Sequence, residues 1–351
     1  MKKIVLKIIL FLLCITPTTV LASPETYVVM DMDSGRVISG NNINKEKLTA
    51  SISKIMTAHV VIKYGNINDE ILVNDSVLKS YGSGIYIKPG EKLKVVDLLY
   101  GLMLRSGNDA AIMLADYLSG SMKKFAEIMN NEAKTIGMKN SNFINSHGLE
   151  ENGIGNKSTA YDMALLMKEA MKSETFKKIV STKYYKLTTN LNVYNWKNKN
   201  RLLFSYEYVI GGKTGFTEKA RRTLVTVASK NSKNLIVVTF NDPDDFNTHH
   251  FLYEKYFSML KQNELYSNNQ KIFENKNYML VNKKKINLLT FDNETIRKEI
   301  INNRDESYIN IYVNDKIIKK IKLDYINKTK KTTIIKNSTW KRFFWGVGLL
   351  W

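Results

Sequence analysis

Ile210-Gly211-Gly212-Lys213-Thr214-Gly215-Phe216-Thr217 runs into two β-prone stretches, Thr223-Leu224-Val225-Thr226-Val227-Ala228-Ser229 and Leu235-Ile236-Val237-Val238-Thr239-Phe240. Asn231-Ser232-Lys233-Asn234 between the last two has turn chemistry and predicts a hairpin. With the glycine-rich run as a third strand, these pieces predict one side of a sheet. At the other end of the same region, Tyr27-Val28-Val29-Met30 and Arg36-Val37-Ile38 flank Asp33-Ser34-Gly35, a second predicted hairpin. A sheet is thus drawn from two distant parts of the chain.

The residues between them read as helices. Ile52, Ile55, Met56, Val60 and Val61 predict a helix over 51–64, and apolar spacing predicts others over 95–105, 109–118, 125–136 and 159–172. Gly137 ends one, and Ser158 or Thr159 caps another. Residues 187–196 read as extended. The pattern is α+β, an antiparallel sheet with a helical insert. Past residue 262 come short strands at Tyr278–Val281, Ile286–Leu289, Tyr308–Val313 and Ile317–Leu323, which predict a small all-β, sandwich-like domain. The expected division is 1–22 as a signal peptide, 23–261 as the main domain, 262–337 as the β domain and 338–351 as a tail.

Lys2, Lys3 and Lys7 precede or interrupt an apolar run to Ile15, and Val20-Leu21-Ala22 offers small residues for cleavage before Ser23. An uncleaved anchor is the alternative, but the run is short for a span, which needs about 20 residues. Cys14, the only cysteine, lies in that segment. Disulfides, a thiolate nucleophile and cysteine metal sites are therefore excluded from residues 23 onward. No metal or cofactor is expected.

The net charge is +20, which favours anionic partners. Nucleic acid is disfavoured, because the chain reads as exported and has no basic-aromatic nucleic-acid module. An anionic membrane surface or wall polymer fits better, and a solvated lysine-rich surface is the bland alternative. The tail holds Trp340, Phe343, Phe344, Trp345, Val347, Leu349, Leu350 and Trp351 with Lys341 and Arg342. It is too short to span a bilayer but suited to its interface; a helix docked on the β domain would read the same.

Three short motifs carry the chemistry, and only their order makes them specific. S-x-x-K begins at Ser51, Ser76, Ser121, Ser258 and Ser338, and S-G-N at Ser39 and Ser106. An S-x-x-K, then S-G-N, then Lys213-Thr214-Gly215 is the order of penicillin-recognising serine enzymes. Ser39 precedes every S-x-x-K, and Ser258 and Ser338 follow the Lys-Thr-Gly, so these three fail. Ser51 and Lys54 share one helix face, one turn apart. Serine needs a base, and none of His59, His147, His249 and His250 is placed for a triad. Lys54 serves if burial and a second cation, Lys213, lower its pKa. Ser106 is placed to relay a proton to the leaving amine, and Asn108 to hold Lys54 or the substrate amide. Lys213 and Thr214 suit a terminal carboxylate, and Gly215 allows close backbone approach. The N–H groups of Ser51 and Phe216 would form the oxyanion hole.

These motifs resemble those of the D-alanyl-D-alanine carboxypeptidases, the low-molecular-mass penicillin-binding proteins (serine peptidase family S11), over about residues 25–260. Thr49-Ala50-Ser51-Ile52-Ser53-Lys54 and Leu104-Arg105-Ser106-Gly107-Asn108-Asp109 are similar to that family's first and second motifs, which sets Ser76 and Ser121 aside. Further likenesses are Asn142-Phe143, Asn145, His147-Gly148-Leu149, Ser158-Thr159-Ala160, Asn198-Lys199-Asn200 and Asp242-Pro243-Asp244-Asp245. The resemblance implies a penicillin-binding/β-lactamase-like fold and a Ser51 acyl-enzyme, with Lys54 as general base, Ser106 as relay and Lys213 as a substrate-binding residue. It implies a peptidoglycan pentapeptide as substrate, β-lactams as covalent inhibitors, and a location at the outer face of the bacterial cytoplasmic membrane or in the wall. Asn156-Lys157 stands where many members have a histidine, and Asp242 near where some have an arginine. A β-lactamase of the same fold would need a deacylating glutamate; Glu150, Glu151, Glu169 and Glu174 lie in range, none in a Glu-x-x-Leu-Asn setting. A non-catalytic penicillin-sensing or wall-binding protein is the other alternative, against which every motif residue is retained.

Overall fold

Five strands form the main sheet: β1 (Thr26–Asp31), β2 (Val37–Asn41), β3 (Val209–Thr217), β4 (Arg221–Lys230) and β5 (Lys233–Phe240). Their order is β2-β1-β5-β4-β3, all antiparallel. The structure is a computed structural model and describes residues 24–150, 153–302 and 306–327. The expected signal peptide and the 338–351 tail lie outside the described residues. Among those described, no helix is long and apolar enough to cross a membrane.

Alternation along the strands explains the layering. Val28, Met30, Val225, Val227, Ile236 and Val238 face one core; Tyr27, Val29, Leu224, Ala228, Leu235 and Val237 face another. Period-two apolar residues on both faces require helices on both sides. The first face meets α1 (Lys54–Tyr64), α2 (Val95–Tyr100), α3 (Asn108–Ser119), α4 (Met122–Ile136), α5 (Ala160–Ala170) and α6 (Glu174–Ser181). The second meets α7 (Asp245–Met259) through Leu252, Tyr253, Tyr256 and Phe257. The β4–β5 turn is tighter than the sequence suggests. Only Asn231 and Ser232 lie outside the strands, both with positive φ, the geometry that matches strand twist.

Several local expectations shift. The helix expected from Ser51 begins at Lys54, and Ala50–Ser53 is a 3₁₀ turn. The helix expected over 95–105 ends at Tyr100 and continues as a π turn, Gly101–Arg105. Residues read as extended around 187–196 are a hairpin of Tyr184–Thr188 and Val193–Lys197. Of the two candidate caps, Thr159 caps α5: its hydroxyl accepts from the Asp162 N–H.

The chain divides into two compact units. The first takes residues up to 263 together with 287–294. The second takes 264–286 and the described residues from 295. Within the second, Gln270–Glu274, Tyr278–Asn282 and Asp324–Asn327 form one three-stranded sheet, and Ile296–Asn302, Ser307–Val313 and Lys316–Lys322 another. Leu280, Ile309, Ile311 and Leu323 are buried there. Residues 287–294 fall with the first unit, not with the small β domain in which the sequence placed them. The Leu289 N–H donates to Asp31, the Arg36 guanidinium donates to the Leu289 carbonyl at 2.8 Å, and Arg36 forms an ion pair with Glu294.

Candidate active site

Ser51 lies in a turn that is held from three directions. Ala50 before it adopts left-handed φ (48°). Gly148 presses on the Ala50 carbonyl so closely that a Cβ there would stand 2.0 Å from that oxygen, and Gly148 itself has φ +86°. Thr49 accepts from the Thr223 hydroxyl on β4 at 3.0 Å and donates its N–H to the Asn156 carbonyl at 3.0 Å. From the third side comes β3. A Cβ on Gly215 would meet the Ser51 and Ile52 nitrogens at 3.0 and 3.1 Å and the Thr223 hydroxyl at 2.4 Å. Glycine there is what lets β3 reach the nucleophile turn. β3 is an edge strand of its sheet, so one side of its backbone is open to a peptide.

Lys54, the first residue of α1, is fully buried. Its Nζ lies 3.1 Å from Ser51 Oγ and donates to Asn108 Oδ1 at 2.7 Å and to the His147 carbonyl. Burial first, and then the Lys199 charge, bring its pKa down to about 7, against an opposing pull from Asp109. A helix N-terminus further disfavours a cation there. Asn108 passes the contact on, donating Nδ2 to the Tyr81 carbonyl at 2.6 Å. Asp109 beside it accepts the N–H groups of Ile85 and Tyr86 at 3.0 and 2.6 Å and so fixes the 81–86 loop.

Ser106 closes the π turn. Its N–H bonds to the Gly101 carbonyl and its φ is +64°. An extra residue in a helical turn is a recurrent device at functional sites. The Ser106 hydroxyl is buried and has no hydrogen-bond partner among the described residues. The histidines are engaged elsewhere. His59 pairs with Glu132, His249 bonds Thr226 and Thr239, and the His250 ring lies tilted against that of Tyr206. Burial, and then Lys54, hold His147 neutral, with a pKa near 3.

Lys213 is placed differently from a surface clamp. It is 1% exposed, its Nζ donates to the Thr214 carbonyl at 2.7 Å, and burial, Lys54 and Lys199 push its pKa well down. It does not line the cleft in front of Ser51. That cleft, about 500 Å³, is walled by Ser51, Ser83, Ser106, Thr214, Gly215 and Phe216, together with Lys199, Arg201, Arg222, Asp245 and Phe246. The last five were given no role by the motifs. Lys199 and Asp245 had local signals, in Asn198-Lys199-Asn200 and Asp242-Pro243-Asp244-Asp245. The Lys199 N–H donates to the Leu104 carbonyl and its Nζ to Ser83 Oγ, both at 3.0 Å, which pins this segment against the Ser106 turn. Asn156, where the family often has histidine, is buried and bonds the Ile144 and Asn145 N–H groups, shaping the loop that carries His147 and Gly148. Of the glutamates weighed as a deacylating base, Glu169 and Glu174 pair with Lys172 and Lys177, and Glu150 accepts from Thr217. Glu151 lies outside the described residues.

A serine hydroxyl 3.1 Å from a fully buried lysine amine, set beside an edge strand, is an arrangement suited to a serine acyl-transfer enzyme. The D-alanyl-D-alanine carboxypeptidase family profile (peptidase S11) matches residues 16–244, and the chain belongs to that family. It is 34% identical over 257 residues to the D-alanyl-D-alanine carboxypeptidase DacF of Bacillus subtilis, covering 71% of this chain and 66% of that protein. It is 35% identical over 234 residues to DacC of Escherichia coli, covering 63% of this chain and 57% of that one. The chain thus spans less than two thirds of these relatives' lengths. Among solved structures, a D-alanyl-D-alanine carboxypeptidase of Mycobacterium tuberculosis superposes with TM-score 0.65 at 28% identity, over 68% of this chain and 92% of that one. Penicillin-binding protein 5 of Haemophilus influenzae shares the fold, with TM-score 0.74 at 24% identity, over 87% of this chain and 97% of that one.

Proposed function

We propose that this chain is a serine-type D-Ala-D-Ala carboxypeptidase that removes the terminal D-alanine of peptidoglycan stem pentapeptides. The observation that carries the reading is Lys54 Nζ at 3.1 Å from Ser51 Oγ, buried and brought to a pKa of about 7. A neutral Lys54 takes the Ser51 proton as Oγ attacks the penultimate carbonyl carbon. The oxyanion is received by the Ser51 and Phe216 N–H groups, in a site where such donors are worth several kcal/mol. The proton taken by Lys54 is relayed through Ser106 to the leaving D-alanine nitrogen as the C–N bond breaks, which returns Lys54 to the neutral amine. Lys54 then takes a proton from the water that attacks the Ser51 ester and passes it to Ser51 Oγ as the ester C–O bond breaks. Asn108 holds the lysine in line, and Thr214 with Gly215 frames the substrate backbone.

β-Lactams would acylate Ser51 by the same attack and be retained as esters. The 1–22 segment supports export, and the basic, tryptophan-bearing 338–351 segment supports contact with an anionic membrane surface. The test is release of D-alanine from diacyl-L-Lys-D-Ala-D-Ala by the chain from residue 23, with Ser51→Ala as control. Release that vanishes in Ser51→Ala is expected. Equal release by Ser51→Ala would sink the nucleophile assignment, and rapid turnover of penicillin without D-alanine release would favour a β-lactamase.

A further inference from the structure

We infer that a second pocket, past the end of β3, receives a carboxylate on the acyl half of the substrate, two or three residues before the cleaved bond. The inference deepens the carboxypeptidase reading above and rests on it. The pocket encloses about 340 Å³ and shares no wall residue with the cleft in front of Ser51. Its wall carries Lys47, Lys157 and Lys219, with Leu48 between them and Glu46 as the one carboxylate among the described residues. Three ammonium groups against one carboxylate make a cavity suited to an anion.

Three separate pieces of chain bring these lysines together. Lys47–Leu48 pairs antiparallel with Lys157–Ser158, Lys47 opposite Ser158 and Leu48 opposite Lys157. Lys219 comes from the turn 218–220 between β3 and β4. Its Nζ leans over the neighbouring loop, where a Cβ on Gly153 would stand 3.1 Å away. The ammonium groups are not spent on the fold. Lys157 and Lys219 are exposed and form no ion pair among the described residues. Lys47 lies 3.8 Å from Glu25, a carboxylate that already holds Lys45. Like charges gathered round one cavity repel one another, and a carboxylate bound between them relieves the repulsion through charge-assisted hydrogen bonds.

Position assigns the anion to the acyl half. In the proposed mechanism the leaving nitrogen takes its proton by way of Ser106, so the leaving residue lies in the cleft that Ser106 walls. The acyl half, laid along the open edge of β3, continues past Phe216 and Thr217 toward the turn that carries Lys219. An extended peptide advances about 3.3 Å per residue, so a side chain two or three residues before the cleaved bond lies about 7–10 Å along that line.

The test compares four N-acetyl tetrapeptides that all release D-alanine. Each ends in D-Ala-D-Ala and carries glutamate or glutamine at the second or the third residue before the cleaved bond, with alanine in the other place. Glutamine matches glutamate in shape, so the ratio of kcat/KM isolates the charge. The unaltered enzyme should favour glutamate by roughly 10-fold at one of the two places, and high salt should shrink the preference, because the lysines are exposed. Lys219→Gln should reduce the ratio by roughly 3-fold, and Lys219→Gln with Lys157→Gln by roughly 10-fold. Lys139→Gln removes the same charge from an exposed site outside the pocket and should keep the ratio. An equal fall in Lys139→Gln would mean that the net charge of the whole chain makes the preference, and the pocket assignment would be lost. Glutamate and glutamine donors cleaved alike by the unaltered enzyme would overturn it as well, with the carboxypeptidase reading intact. So would equal losses on both donors in the Lys157 and Lys219 variants, which would mean that these lysines serve only the shape of the Ser51 turn. If the folded, unaltered enzyme released D-alanine from none of the four, the carboxypeptidase reading itself would fail and take this assignment with it.

Discussion

Under the proposed mechanism, the protonation of Lys54 sets the pH at which Ser51 reacts. Its ordinary value of 10.5 falls to about 7, because a buried ammonium loses its hydration and faces Lys199. Only the neutral amine accepts the Ser51 proton, so acylation by a penicillin should rise with pH through about 7 and then level off. Lys54→Arg, which stays protonated, should lose ~100-fold or more in acylation rate. A flat profile across the same range, in stopped-flow acylation, would contradict the base assignment. The shift has a stability sign too. Unfolding restores the higher value, so the unfolded chain binds more protons between about 7 and 10.5, and stability contributed by this group rises with pH through that window. At this scale the sequence was readable where residues sit in motifs. Ser51, Lys54, Ser106 and Asn108 converge as their order implied. Arg201, Arg222 and Phe246 were not readable, because single arginines and phenylalanines far apart in the chain acquire meaning only when folding brings them to one wall. Lys213 was half readable: its neighbourhood with Lys54 follows from the motif order, its inward direction does not.

Elements carry the site by their ends. Ser51 occupies a 3₁₀ turn, Lys54 and Asn108 begin helices, and Ser106 ends a π turn. Hydrophobic period marks helix bodies and blurs at such ends, which is why the sequence placed Ser51 inside α1 and missed the π turn. Besides the four-residue Leu202–Ser205, two longer helices went unread altogether. α6 is eight residues long, with Ser173 as cap and apolar Phe176, Ile179 and Val180 as its whole signal. α7 has a buried stripe of Leu252, Tyr253, Tyr256 and Phe257, but the exposed Phe251 breaks it. The helix carrying the base is itself pinned from behind. Glu132 on α4 accepts from His59, Lys63 and Tyr64 of α1 at 2.7–2.8 Å. Burial alone would raise its pKa, but the bonds from Lys63, His59 and Tyr64 prevail and bring it from 4.5 to about 2. Its folded value is depressed, so its stabilisation is complete above about 4.5 and is lost as pH falls toward 2. Glu132→Gln should cost about 1–3 kcal/mol at neutral pH, and the gap to the unaltered protein should narrow on acidification. Thermal unfolding at several pH values checks this; a gap independent of pH would show that the carboxylate charge is irrelevant.

At the scale of the whole molecule, the chain leaves its first unit after residue 263, returns for 287–294 and leaves again. The composition change near 262 marks the first departure and gives no hint of the return. Ile286-Asn287-Leu288-Leu289 reads like any other short strand, and its assignment to the first unit depends on Asp31 and Arg36, more than 250 positions earlier. The consequence is that the catalytic unit is not a continuous piece of sequence. A chain ended at 263 leaves the Arg36 guanidinium, about 10% exposed, without Glu294 and without the Leu289 carbonyl. It also removes the Leu289 N–H from the buried Asp31 carboxylate, whose pKa burial already raises. A buried charge deprived of its partner costs more than the pair contributed. Residues 24–263 should therefore be less stable than residues 24–294 by about 3–5 kcal/mol at equal pH, seen as a lower unfolding temperature, and Arg36→Met in the shorter chain should recover part of the loss by removing the orphaned charge. Coincident unfolding curves for the two lengths would mean that 287–294 contributes nothing to the first unit, and that the catalytic unit is complete at the composition change after all.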